Sequence, residues 1–150
     1  MKCDINESLN TLGMILIPIN VNGNRHLFLL DTGSQQNSIS DADQECMKCF
    51  VPSGNVMTSQ GLDGHTIVTP FGKMSYEIGP HTCTTEFYVI PGKTFESIFA
   101  ETGIEISGIL GITFMKKHRC TINIVEGYVT AEFEEEDANG DESTKEPQAA

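Results

Sequence analysis

The sequence predicts a mainly β fold with two or three short helices, and three observations support this prediction. Every second residue from Ile15 to Val21 is apolar, which is the period of a strand with one buried face. The turn sequence Asn22-Gly23-Asn24 follows this run directly, as in a β-hairpin. Further strand-like runs are separated by turns that contain Gly or Pro, whereas helical periodicity is confined to short segments.

The elements of the first half can be assigned in chain order. His26–Leu30 is apolar enough to be a strand that is buried on both faces, and Asp31-Thr32-Gly33-Ser34 ends it abruptly. Asp41-Ala42-Asp43-Gln44 resembles a capping box that begins a short helix. The apolar face of that helix would consist of Ala42, Cys46, Cys49 and Phe50. The next predicted strands are Val56–Gln60, His65–Thr69, Lys73–Ile78 and Cys83–Ile90.

The second half continues the same pattern. Thr94 can cap a second helix, which Gly103 ends. Ile106–Leu110 reads as a buried strand, and Gly111–His118 as a third helix with basic residues in its last turn. Two final strands are predicted around the turn at Gly127. They are Cys120–Val125 and Tyr128–Phe133.

The charge distribution separates a C-terminal tail from the rest of the 150-residue chain. The formal net charge is −12, from 21 acidic and 9 basic residues. Residues 134–150 contain seven acids and one base, hence −6, and no aliphatic residue larger than alanine. Such a segment cannot bury enough apolar surface to fold, so it is predicted to be a disordered acidic tail. Residues 12–133 are predicted to form one domain, preceded by an N-terminal segment of residues 1–11.

The composition argues against several classes of function. Nucleic-acid binding needs a concentrated basic face, and the sequence has none. The longest apolar run, Met14–Ile19, is far too short to span a membrane. The first residues lack the apolar stretch of a secretory signal, and five cysteines are an odd, sparse set, so a cytoplasmic location with reduced thiols is expected. No cofactor is expected.

The candidate chemistry lies in Asp31-Thr32-Gly33-Ser34. A carboxylate that directly follows an apolar strand is costly to bury unless it is hydrogen-bonded. Gly33 allows a tight turn with an exposed N–H, and the Thr32 hydroxyl can brace the loop. The alternative is an ordinary polar turn. A second segment, Gly108–Met115, lies about 75 residues downstream and decides between the two readings.

With these two segments the sequence resembles the retropepsin-like aspartic proteases, specifically the compact single-lobe bacterial and retroelement type. The resemblance rests on Asp31–Ser34 and on Ile109-Leu110-Gly111 leading into a helix. It implies a closed acid-protease β-barrel lobe whose catalytic aspartate is Asp31. Gly33 would hold the loop, Thr32 would contact its own copy in a partner lobe, and Ser34 would hydrogen-bond the carboxylate.

The resemblance also implies a mobile flap over a peptide-binding cleft. Gln60–His65 is the better candidate for the flap tip because of its paired glycines, and Thr69-Pro70-Phe71-Gly72 is the competing turn. The residues expected to contact a peptide or protein substrate are Gly61, Leu62, Asp63, Gly64, Ile109, Leu110 and Gly111.

Two principal hypotheses for the function follow. The first is an aspartic endopeptidase that acts as a homodimer, because the mechanism needs two aspartates and the sequence has one Asp-Thr-Gly and no internal repeat. The second is a catalytically weak or inactive peptide-binding or assembly module on the same fold. It is motivated by Gln36 and Ile112, where retroviral members carry an acid and an arginine, and by Asp63 at the flap tip. A monomeric β-barrel scaffold is a third possibility.

No metal site is predicted. Cys46-Met47-Lys48-Cys49 has the spacing of a metal or redox pair, but a structural zinc site needs a second pair of ligands. The competing interpretation places both cysteines on the apolar face of a helix. The four histidines form no close cluster in the sequence and are expected at the surface or in turns.

Overall fold

The computed structural model describes residues 1–60 and 63–134. The strands are β1 (Lys2–Asp4), β2 (Leu16–Val21), β3 (Asn24–Leu30), β4 (Ser38–Ser40), β5 (Val51–Gln60), β6 (Thr66–Ile78), β7 (His81–Ile90), β8 (Gly108–Leu110), β9 (Thr121–Asn123) and β10 (Tyr128–Thr130). The helices are α1 (Asn6–Leu12), α2 (Gln44–Cys49), α3 (Glu96–Thr102) and α4 (Ile112–Lys117). None of the helices in these two ranges is long and apolar enough to cross a membrane.

Six strands form a closed barrel. Their order is β2-β3-β8-β4-β7-β6, and the pairing of Asn20 with Glu77 returns from β6 to β2. Strand β8 runs parallel to β3 and antiparallel to β4, while β4 runs parallel to β7. The prediction of a mainly β, closed barrel lobe with a few short helices is therefore confirmed.

Aromatic side chains fill the barrel. Phe28 and Phe87 are fully buried, with ring centroids 6.1 Å apart, and Tyr76 packs edge-on against Phe87 at the same distance. On β3 the even residues Phe28 and Leu30 point into this core. The odd residues Leu27 and Leu29 belong to a second apolar cluster on the opposite face of the strand. Both faces of β3 are thus covered, as its sequence predicts.

Strand β6 corrects the predicted turn at Thr69–Gly72. The two strands predicted on either side of it are one continuous strand of 13 residues. Pro70 is tolerated because the pairing of β6 with β7 begins at Phe71, so its missing N–H faces no partner on that side. Beyond the barrel, β6 pairs only with β5. We call this projecting hairpin, Asn55–Gln60 with Thr66–Pro70, the arm.

Two predicted helix starts are also corrected. Helix α2 begins at Gln44 and excludes Ala42, because its N-cap is Asp43 rather than Asp41, and the Asp43 side chain accepts the Cys46 N–H at 3.0 Å. Thr94 caps no helix, since it lies inside a 3-10 turn, Gly92–Phe95, that leads directly into α3. Gly103 ends α3 as predicted, in the left-handed conformation with φ +74°.

The N-terminal segment, which the sequence sets apart, packs against the domain. Strand β1 pairs with β10, and β9 completes a three-stranded sheet. Ile5 is 1% exposed and belongs to the main core. The C-terminal hairpin forms with shorter strands than predicted, β9 and β10. The predicted tail lies, apart from Glu134, outside the described residues.

Candidate active site

The Asp31 loop joins two strands that are not neighbours. It connects β3 to β4, and β8 lies between them in the barrel. The loop must therefore cross the carboxyl end of β8. Two backbone hydrogen bonds attach it there, from Ile112 N to Ser34 O at 2.8 Å and from Thr113 N to Gln35 O at 3.0 Å. The downstream segment Gly108–Met115, which the sequence singled out, thus holds the loop in place through backbone hydrogen bonds.

The Asp31 carboxylate is held by its own loop. Gly33 N donates to Asp31 Oδ1 at 2.8 Å, and Asp31 N donates to Leu110 O at 3.0 Å. Asp31 is half-buried, whereas Thr32 and Gly33 are exposed. Within the described residues, Oδ2 of Asp31 accepts no hydrogen bond and remains available to a substrate or a second carboxyl group.

Two glycines, Gly108 in β8 and Gly111 directly after it, lie where no side chain could be accommodated. A Cβ on Gly111 would lie 2.5 Å from Gln36 O and 2.6 Å from Ser34 O, and one on Gly108 would collide with Ser38 O and the Phe28 ring. These contacts are mostly with backbone, which cannot rotate away. Gly108 therefore permits the close packing of β8 against β3 and β4, and Gly111 permits the crossing of the loop.

Asn37 is a supporting residue that the sequence interpretation missed. Its side chain is buried, accepts Gly111 N at 2.8 Å through Oδ1, and donates to Glu86 O at 3.3 Å through Nδ2. It therefore ties the loop to both β8 and β7. In the sequence it lies within a polar run, and nothing in that run distinguishes it from the exposed Gln35.

Two of the predicted site residues have other roles in the chain. Ser34 Oγ donates to Gln36 O at 2.9 Å instead of to the Asp31 carboxylate, so it closes the loop. The Leu110 side chain is fully buried in the barrel core, which corrects the expectation that it contacts substrate. Gly111 is buried beneath the loop, whereas Ile109 is half-buried in the second apolar cluster with Leu29.

The arm carries the remaining predicted residues. Asp63 and Gly64 lie in its exposed turn, while Gly61 and Leu62 are outside the described residues. His65 donates to both oxygens of Asp63, from N at 3.0 Å and from Nδ1 at 2.9 Å. These hydrogen bonds hold the pKa of Asp63 below its ordinary value.

The arm also exposes apolar side chains. Val56, Val68 and Ile67 are 66%, 63% and 39% exposed. Met57 is half-buried and packs on the second apolar cluster, which also contains Leu29 and Ile109. The pairing of β5 with β6 puts Met57 and Ile67 on one side of the arm and Val56 and Val68 on the other. The side with Met57 is therefore continuous with the apolar surface beside Asp31. This arrangement offers apolar contacts to a chain lying between the arm and the Asp31 loop.

Two of the four histidines, His26 and His118, differ from the surface or turn positions expected of them. His118 is buried and packs against the rings of Phe114 and Phe133. His26 is also largely buried, between Asp43 and Glu45, with both carboxylates 2.8 Å from its ring nitrogens. Spacings of 17 and 19 residues to these acids give no recognisable motif, so the sequence contained no signal for this cluster.

Hydrogen bonding dominates the electrostatics of this cluster. Burial raises the pKa of Asp43, but hydrogen bonds from Cys46 N, Ser107 and His26 outweigh it, so the pKa lies below its ordinary value. Hydrogen bonds from Asn24 and His26 likewise lower the pKa of Glu45. Both acids are therefore held as carboxylates at neutral pH.

Comparison with known proteins agrees with the geometry of the Asp31 loop. A family model described as aspartyl protease matches residues 17–114, which run from β2 into α4 and include both the Asp31 loop and β8. No curated protein matches the chain. Since the matched region covers about two thirds of the chain, and the barrel and braced aspartate loop lie within it, the chain belongs to the aspartyl protease family.

Proposed function

We propose that the protein is an aspartic endopeptidase whose catalytic unit is a homodimer with one Asp31 from each copy. The observation that carries this proposal is the Asp31 loop itself. Its carboxylate is fixed by Gly33 N and its backbone by Leu110, while Thr32 and Gly33 are exposed at the loop surface. A loop braced in this way presents a carboxylate and still leaves room for a second copy against it.

The requirement for two copies comes from the chemistry. Two carboxyl groups that face each other share one proton, because both cannot be ionised at short range. The chain contains a single Asp-Thr-Gly sequence, so a second copy must supply the other aspartate. A twofold axis through the pair would bring Asp31 against Asp31 and Thr32 against Thr32.

Peptide hydrolysis then proceeds by a shared-proton mechanism. The ionised Asp31 takes a proton from a water molecule, whose oxygen attacks the carbonyl carbon of the peptide. The protonated Asp31 donates its proton to the carbonyl oxygen, giving a neutral diol. When the C–N bond breaks, the carboxyl group gives its proton to the leaving nitrogen and the other carboxylate takes a proton from a diol hydroxyl, so the pair again holds one proton.

The substrate proposed for this site is an extended peptide of about six to eight residues, bound by strand-like hydrogen bonds. Apolar side chains would be accommodated beside Leu29 and Ile109, which are half-buried next to the loop. The arm would cover the peptide with the side that carries Met57 and Ile67, since the pairing of β5 with β6 puts both side chains on the face that packs beside Leu29 and Ile109.

The test is to replace Asp31 by Asn, with Glu77→Gln as the matched control on the outside of the barrel. We expect Asp31→Asn to fold and dimerise like the wild type but to lose activity on a casein-type substrate by at least about a thousandfold. Glu77→Gln should retain activity. A fully active Asp31→Asn protein would exclude this mechanism.

The non-cleaving peptide-binding module is distinguished by binding rather than by turnover. A statine-type inhibitor places a hydroxyl where the diol forms, so its affinity depends on the aspartate pair. Tight binding to the wild type that is lost in Asp31→Asn supports the enzyme. A wild type that cleaves nothing and binds peptides as well as its Asp31→Asn variant supports the module.

A further inference from the structure

A second cluster of reactive side chains lies away from the Asp31 loop. His26 on β3, Asp43 at the start of α2 and Cys46 within α2 place one ligand atom each within 4.8 Å of one another. His26 Nδ1 is 2.8 Å from Asp43 Oδ2 and 3.9 Å from Cys46 Sγ. Ser107, just before β8, brings its Oγ to 3.2 Å from the same nitrogen. Three elements of the fold therefore direct nitrogen, oxygen and sulfur atoms to one point.

The opposite edge of the His26 ring is arranged as in a metal-bound histidine. Glu45 Oε1 lies 2.8 Å from Nε2, so it can accept that N–H and leave Nδ1 as the free ligand atom. Asn24 and Asn22 in turn donate to Glu45 Oε2 at 2.7 and 3.3 Å. The carboxylate that orients the ring is thus itself held in place.

The Asp43 side chain is also held in place, by a hydrogen bond to the carboxylate oxygen that does not face His26. Its Oδ1 accepts the Cys46 N–H at 3.0 Å, which leaves Oδ2 on the side of the cluster. Cys46 is fully buried, and burial together with the Asp43 charge raises the pKa of its thiol. A nearby cation would offset both effects, because a metal-bound thiol is deprotonated.

We propose that His26 Nδ1, Asp43 Oδ2 and Cys46 Sγ bind a divalent transition-metal ion of the zinc type, with Ser107 Oγ or a water molecule as the fourth ligand. The nitrogen, oxygen and thiolate set suits Zn²⁺ and Co²⁺ rather than Ca²⁺ or Mg²⁺. Binding displaces the protons of the Cys46 thiol and of His26 Nδ1, if present, to solvent.

The distances are compatible with tetrahedral coordination after a small adjustment. Bond lengths of about 2.0 to 2.3 Å place ligand atoms about 3.3 to 3.7 Å apart around zinc. The His26–Cys46 distance of 3.9 Å is close to this range, and the 2.8 Å His26–Asp43 contact must open by about half an ångström. An adjoining cavity of about 170 Å³, lined in part by Asp43 and Ser107, gives an ion access.

The proposed site differs from the Cys46–Cys49 pair, which was considered from its spacing in the sequence and not predicted to bind metal. Cys49 follows Cys46 at the spacing of a Cys-x-x-Cys motif, but it is not part of the three-residue cluster. A metal ion bound there would link β3 to α2. Its ligand on β3, His26, precedes Asp31 by five residues. The role of the site would be structural, since the site lies outside the proposed catalytic unit.

The test is a Co²⁺ titration of the full chain, freed of metal by a chelator and kept reduced with a phosphine. We expect one equivalent to give the visible bands of tetrahedral cobalt and a near-ultraviolet thiolate charge-transfer band. Cys46→Ser and His26→Gln should each abolish the site, while the matched control Cys49→Ser should retain it. Glu45→Gln should keep the bands with about 10- to 100-fold weaker affinity.

Three results would overturn the proposal. They are a wild type without a thiolate band, bands that persist in Cys46→Ser, and bands that disappear in Cys49→Ser, which would assign the Cys-x-x-Cys pair. Circular dichroism of each variant establishes that it is folded. As a second measurement, Zn²⁺ should raise the melting temperature of the wild type and of Cys49→Ser but not of His26→Gln. An unchanged wild-type melting temperature would also contradict the proposal.

Discussion

The two halves of strand β6 differ in burial although they belong to one continuous strand. From Met74 to Ile78, buried and exposed residues alternate, and the buried ones fill the barrel. From Thr66 to Val68, all three residues are exposed, including Ile67 and Val68. The apolar content of the two halves is similar, but only one half has a core to cover. The barrel half stabilises the fold, and the arm half is available for intermolecular contact.

The largest expected effect comes from truncating one side chain in each region. Phe28→Ala should lower the free energy of unfolding by about 3–5 kcal/mol, because it removes a fully buried ring and leaves a cavity. Ile67→Ala should change it by no more than about 1 kcal/mol, since that side chain is 39% exposed, yet it should weaken peptide binding because Ile67 shares a face of the arm with Met57. Urea denaturation and inhibitor titration measure the two quantities. An Ile67→Ala protein that is strongly destabilised would show that the arm belongs to the core.

The second prediction concerns the crossing beneath the Asp31 loop. Gly111→Ala should cost about 1–3 kcal/mol of stability, because its Cβ would meet the carbonyl oxygens of Gln36 and Ser34. Activity should fall by more than the unfolded fraction explains, since the loop that holds Asp31 must move. Thermal melts and activity per folded molecule separate these effects. A variant with wild-type activity would mean that the crossing does not position the aspartate.

The smallest expected effect tests whether the arm reaches the catalytic pair. A carboxylate near two catalytic acids disfavours their ionisation, so Asp63→Asn should move the alkaline limb of the pH–activity profile to lower pH. The shift should shrink as salt screens the interaction. Glu77→Gln, an exposed charge on the barrel half of β6, is the control. If the two variants give the same profile, the arm tip stays away from the aspartates.

The sequence was sufficient for the parts of the fold with strong local signals. The alternation around Ile17, the abrupt end of β3 at Asp31 and the glycine that follows Leu110 each have a local physical cause. The strand through Pro70 was missed because proline usually ends a strand, and the residue is acceptable here because the pairing of β6 with β7 begins only at Phe71. The local sequence pattern does not reveal where the pairing between two strands stops.

The candidate site likewise contains residues that the sequence could predict and residues that it could not. Asp31 could be predicted because a polar residue after an apolar strand is conspicuous in sequence. Asn37 and His26 could not, because their partners lie 49 or more and 17 or more residues away. Leu110 was assigned to substrate by its place in the motif, although the alternation of the strand turns its side chain into the core and leaves Ile109 outside.

The pairing of Asp31 between two copies is tested most directly by subunit mixing. Wild-type protein, at a concentration where sedimentation shows a dimer, is equilibrated with a roughly threefold excess of Asp31→Asn and assayed at saturating substrate. If each catalytic unit takes one aspartate from each copy, random exchange should reduce activity per wild-type chain to about a quarter. The same excess of an unrelated protein should have no effect. Unchanged activity in mixtures shown to exchange subunits would contradict the shared site.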